Sequence, residues 1–125
     1  MIPIFRVWNG REMFYLDKIY GIELTFNKTG GWCLWYTWVY PNEIIAGIGY
    51  APEMQLMLSS QINDKNNVEI YEDDIVIGKK FGKGIIKFKD GCFGIKTKYA
   101  FLSFPVCSDI EVIGNIYENP ELIED

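Results

Sequence analysis

Histidine is absent from the sequence, so no Ser-His-Asp or Cys-His nucleophile can be assembled, and zinc loses its main nitrogen ligand. An enzyme built on this chain would have to work with carboxylates, lysine, tyrosine or a carboxylate-bound metal. Cysteine is scarce: Cys33, Cys92 and Cys107 form no CxxC pair, and three is an odd number. That argues against a disulfide framework and for a reducing compartment. Long apolar runs are missing too. The longest, Trp32 to Val39, is far too short to cross a bilayer as a helix, and Arg6, Asn9 and Arg11 break up the start of the chain. The expectation is a soluble cytoplasmic protein with no membrane partner, no cofactor and no catalytic residues.

What is present points to strands. Of 125 residues, 49% are hydrophobic and 16% aromatic, which excludes a disordered chain and supplies one core without staples. Ile4 to Trp8, the dipeptide Asn9-Gly10 and Arg11 to Tyr15 read as a strand, a tight turn and a strand. Ile19 to Phe26, then a turn at Asn27 to Gly31, then Trp32 to Tyr40 continue the pattern. Glu43 to Gly49 reads as a short strand, and Met54 to Ser60 as either a strand or part of a brief helix opened by Pro52.

Asn63 to Asn67 is the most polar segment and is taken as the boundary between an N-terminal part, residues 1–62, and a C-terminal part, residues 63–125. Beyond it, Ile70 to Ile77, Ile85 to Phe88, Cys92 to Lys96, Phe101 to Val106 and Ile110 to Tyr117 are short strands with tight turns. Asp90-Gly91 turns the middle pair, and Pro105 confines the fourth strand to an edge. The expected architecture is all-β: an N-terminal β-meander with a C-terminal SH3-like small barrel.

Trp32 to Tyr40 is apolar on both faces, where a strand with one wet face should alternate. It is therefore either sandwiched within the monomer or set in a homo-oligomer interface carried by Trp32, Trp35, Tyr36 and Trp38. With Trp8, these tryptophans read as core or interface anchors rather than a ligand pocket.

Charge is uneven. The net charge is -5, yet Lys79 to Lys98 holds seven lysines against one acid, Asp90, and Tyr99 to Asp125 holds six acids and no base. Lys79, Lys80, Lys83, Lys87, Lys89, Lys96 and Lys98, with Phe81, Phe88 and Tyr99, form the candidate nucleic-acid contact, since single-strand binders join such charge to stacking rings. The plainer reading is a solvated hairpin with Ile86 and Phe88 inward and Lys87 and Lys89 outward. Global acidity puts nucleic acid second to a protein partner. Gly78 to Gly84 lacks the Ser or Thr and the helix that a phosphate loop requires, and reads as a flexible connection.

Glu72, Asp73 and Asp74 could offer oxygens to Mg²⁺, but no EF-hand spacing or second acidic motif joins them, and turn chemistry is the stronger reading.

Phe5-Arg-Val-Trp8, Asp64-Lys-Asn66, Glu69-Ile-Tyr-Glu72, Asp74-Ile-Val76, Phe88-Lys-Asp-Gly91 and the run Ile110 to Leu122 resemble, in order, the YopX family of small bacteriophage and prophage proteins. The resemblance implies an all-β fold with an SH3-like C-terminal part and an oligomer, and it carries no catalytic residues; the expected setting is the cytoplasm of the bacterial host, with a host or phage protein as a further partner. In the family's pattern, glycine stands where this chain has Asp73 and where it has Asn67. Glycine at such places supplies positive φ, and Asp and Asn are its nearest substitutes. Asp73 is thus expected to turn the backbone, and Asp74 to cap that turn before Ile75 enters a strand.

Overall fold

A computed structural model describes the main chain of residues 4–8, 10–16, 22–26, 32–40, 43–49, 55–103 and 109–123, and the side chains of the same ranges except 22–26, 32–40 and 43–49. The chain is all-β, and every strand pair described below is antiparallel. Among the described residues, no helix is long and apolar enough to cross a membrane. The chain divides into two compact units, one of Phe5–Leu56 and one of Met1–Ile4 with Met57–Asp125.

In the first unit, β1 (Phe5–Trp8) pairs with β2 (Met13–Tyr15). Trp8 lies opposite Met13, so the connection takes four residues rather than the two expected at Asn9-Gly10; Gly10 supplies its positive φ of 100°. β3 (Ile22–Phe26), β4 (Trp32–Tyr40) and β5 (Glu43–Gly49) form a meander in the order β3-β4-β5. β4 is central, with Trp35 opposite Glu23 on one side and Ile48 on the other. Trp32, Trp35, Tyr36 and Trp38 all fall on it, but their side chains lie outside the described residues.

β6 (Gln55–Asn63), which belongs to the second unit from Met57 onward, pairs with β7 (Glu69–Tyr71). β6 settles the strand-or-helix ambiguity as strand, and the polar segment after it is the hairpin tip. The five-stranded sheet follows in the order β11-β10-β9-β8-β12, built from β8 (Asp74–Gly78), β9 (Gly82–Lys89), β10 (Cys92–Lys96), β11 (Phe101–Ser103) and β12 (Glu111–Asn115). It curls into a half-barrel. Ile70, Val76, Ile86, Ile95 and Ile110 form its buried centre, with Phe81, Phe93, Leu102 and Val112 packed against them.

Two local readings change. Gly78 pairs with Gly82, so only residues 79–81 turn the chain between β8 and β9, and Gly82 and Gly84 belong to a strand rather than a loose connection. Gly82 holds a φ of 81°, the left-handed residue that a three-residue hairpin requires. Phe88 has the same strand parity as buried Ile86 but is 44% exposed, because the hairpin tip runs past the core. By contrast, Asp90 and Gly91 adopt φ of 53° and 80°, the two-residue turn their sequence specifies.

Candidate nucleic-acid interface

The fold scatters the three successive carboxylates Glu72, Asp73 and Asp74. Asp73 has a φ of 68° and Asn67 a φ of 65°, the left-handed backbone expected at both. The Glu72 carboxylate accepts the Leu58 amide at 2.8 Å. Asp73 accepts from the Lys87 ammonium at Oδ1 and from the Tyr117 hydroxyl at Oδ2, both at 2.8 Å. Asp74, 2% exposed, accepts the Tyr71 amide at 2.8 Å and so caps the turn that separates β7 from β8. Three neighbouring acids thus face three different parts of the chain.

Asp64 does the same at the β6–β7 tip. One oxygen accepts the Asn66 and Val68 amides at 2.8 Å each, and the other accepts the Val112 amide of β12 at 2.9 Å. Burial pushes this carboxyl up, but the three amides, with Lys65 beside them, outweigh it and hold the group below its ordinary value of 3.8. The run that follows β12 is tied similarly. The Asn115 side-chain oxygen accepts the amides of Tyr117 and Glu118 at 3.1 and 2.8 Å, and Asn119 accepts the Asn115 amide at 3.1 Å. Pro120 then opens a short 3₁₀ helix, Pro120–Ile123.

The lysines are arranged differently. β9 and β10 are joined by the tight turn at Asp90-Gly91, and Thr97 to Ala100 turns β10 into β11, so Lys96 faces Phe101 across the ladder. This brings Lys87, Lys89, Lys96 and Lys98 to the rim of one open depression of about 520 Å³ that also holds Phe88, Tyr99 and Phe101. A neighbouring hollow of about 550 Å³ adds Lys83, Phe81 and Ile123. Five of the seven lysines are therefore brought together.

Lys79 and Lys80 are not among them. They belong to the β8–β9 turn, where the Lys79 amide donates to Asp109 at 2.9 Å. That bond, followed by the charges of Lys79 and Lys80, holds the Asp109 carboxyl below its ordinary value despite the opposing effect of desolvation.

Within the group, Lys87 is tied to Asp73, and the Lys83 ammonium donates to the Leu122 carbonyl. Lys89 and Lys98 instead lie over rings: the Lys89 ammonium is 5.8 Å from the centre of Phe101, and that of Lys98 is 5.8 Å from the centre of Tyr99. Tyr99 is 89% exposed and Phe101 41%. Phe101 lies over Gly94, and any side chain at that position would collide with the ring. The sequence reading picked out Phe88 and Tyr99 but not Phe101. The available signal was strand pairing: once Thr97 to Ala100 is recognised as a turn, Phe101 falls opposite Lys96 and next to the lysine rows.

The chain resembles known proteins over nearly its whole length. The SPbeta prophage-derived uncharacterized protein YopX of Bacillus subtilis strain 168 is 28% identical over 139 residues, covering 99% of this chain and 98% of that one. The crystal structure of yopX from Bacillus subtilis superposes with a TM-score of 0.71 at 28% identity, over 97% of this chain and 98% of that chain. A crystal structure of an Enterococcus faecalis protein gives 0.69 at 27% identity, over 99% of both chains. The model of the YopX protein family matches residues 4–124, and the chain belongs to that family.

Proposed function

We propose that this is a phage or prophage accessory protein of the host cytoplasm that acts by binding rather than by catalysis, and that its ligand is nucleic acid held by the lysine face of β9, β10 and β11. The prophage origin printed for its Bacillus relative supports the setting. The observation that carries the ligand is the convergence of Lys83, Lys87, Lys89, Lys96 and Lys98 around two adjoining open hollows, in a chain whose overall charge is -5. Asp64 and Asp74 are bonded to backbone amides within the fold, and Asp73 pairs with Lys87, so the positive charge of the face rests on Lys83, Lys89, Lys96 and Lys98. This geometry favours nucleic acid over the protein partner preferred on sequence grounds. Self-association through Trp32, Trp35, Tyr36 and Trp38 rests on the pattern of β4 alone.

The test is fluorescence anisotropy with labelled DNA and RNA oligonucleotides, at low and at physiological salt, comparing the native chain with the triple variant Lys89→Glu, Lys96→Glu, Lys98→Glu. Lys87 is left intact because a carboxylate there would oppose Asp73. Binding in the micromolar range that weakens with salt, and is reduced at least about tenfold in the variant, is expected. No binding at low salt, or equally tight binding of a poly-glutamate peptide, overturns the proposal.

A further inference from the structure

Resting on the nucleic-acid reading of this face, we propose that the ligand is single-stranded and that Tyr99 and Phe101 are stacking platforms for its bases. Among the described residues, Tyr99 is by far the most open of the exposed large apolar side chains, at 89%. It is not on a loose tip. The Thr97 hydroxyl accepts the Tyr99 and Ala100 amides at 3.3 and 3.0 Å, and the Thr97 amide donates to the Ala100 carbonyl at 2.8 Å. The turn is thus closed on itself and presents the ring outward.

Phe101 follows on the edge strand, with the tip of its ring over Gly94, where any side chain would collide with it. Both rings belong to the same depression, and each has a lysine ammonium 5.8 Å from its centre, Lys98 at Tyr99 and Lys89 at Phe101. A nucleotide carries the complement of that pair, a phosphate for the ammonium and a base for the ring. Only an unpaired strand can offer it, because in a duplex the base faces are stacked on one another and closed to a side chain. A purely electrostatic face would need the lysines without the rings.

Three ligands of equal length separate the possibilities: a single-stranded oligothymidine, an abasic strand with the same phosphates, and a duplex. Each is titrated by anisotropy at one fixed low salt against the native chain, Tyr99→Ala and Tyr99→Trp. The native chain should prefer the oligothymidine to the other two. Tyr99→Ala should weaken that ligand alone, by roughly 5- to 150-fold, and Tyr99→Trp should retain it. The open position of Tyr99 leaves the fold unaffected, which an unchanged melting temperature checks. Equal binding of all three ligands, unaltered by Tyr99→Ala, overturns the stacking role and leaves the lysine face standing. Binding of none of them overturns both.

Discussion

Asp64 and Lys98 belong to the same unit and illustrate two ways of spending a charge. Asp64 is 7% exposed, and its two oxygens accept amides from its own turn and from β12. Lys98 stands on an exposed turn with its ammonium over the Tyr99 ring. The same contrast runs through the neighbours: Asp74 and Asn115 accept backbone amides and Asp73 links the side chains of Lys87 and Tyr117, whereas Lys89 and Lys96 line an open hollow. The family-like stretches around Asp64, Glu72 to Asp74 and Asn115 to Leu122 are therefore mostly joints. They report on the fold and say little about what the protein binds. A face that binds would be sought among residues the fold does not need.

The largest expected effect tests the joint side of that contrast. Asp64→Ala leaves the amides of Asn66, Val68 and Val112 without their acceptor in a buried place, each at roughly 1–3 kcal/mol where water cannot replace it. A loss of about 3 kcal/mol or more is expected, read as a lower urea midpoint at constant m. A loss under about 1 kcal/mol would mean that the turn and β12 stay together without the carboxylate. The pH dependence sharpens the same point. The folded group titrates below its unfolded value of 3.8, so its contribution is fully present above 3.8 and is lost as pH falls below it. The stability gap between the native chain and Asp64→Asn should be constant at neutral pH and close on acidification through that window.

How legible these joints are depends on how local they are. Asp90-Gly91 needs only its own two residues to adopt positive φ, and the hairpin formed as read. The turn at Asp73 was legible for the same reason, and the Asp74 cap accepts the amide of Tyr71, three residues back. The Asp73 link to Tyr117 spans 44 residues and that of Asp64 to Val112 spans 48, and no short pattern specifies either. Gly82 and Gly84 looked like a loop because a lysine-glycine tract has no strand propensity of its own. Pairing with β8 and the close approach of Ile95 to Gly84 make it a strand. The candidate face was legible as a charge count and not as a shape. That Lys79 and Lys80 fall within the three-residue turn between β8 and β9, and that Phe101 joins the others, follows only from register.

A middle-sized effect is expected at Asp73, where a joint occupies a glycine-like position. Asp73→Gly removes the strain of φ 68° but gives up the Lys87 and Tyr117 contacts and adds freedom to the unfolded chain. These changes nearly offset, and stability should stay within about 1 kcal/mol of the native chain. Asp73→Ala gives up the same contacts while keeping the unfavourable backbone, and should fall about 1–2 kcal/mol below Asp73→Gly. Thermal or urea unfolding of the three chains gives the order. If Ala equals Gly, the left-handed backbone is not what selects the residue here.

The smallest effect on stability is expected on the lysine face, and its smallness is the informative part. Lys89, Lys96 and Lys98 are exposed, and their side chains hold no segment of backbone together as Asp64 does. Replacing each singly with Gln should change the unfolding free energy by no more than about 0.5 kcal/mol. The same substitutions should lower the salt dependence of oligonucleotide binding by roughly one unit of slope for each phosphate contact removed. A residue that serves the fold would show the reverse, a stability loss with an unchanged slope. The double-logarithmic plot of affinity against salt for Lys96→Gln decides between them most cleanly, because Lys96 sits on β10 between the two hollows and lines both. A stable variant with a shallower slope assigns Lys96 to the ligand. A destabilised one with the native slope returns it to the sheet, and the division between joints and face would have to be redrawn there.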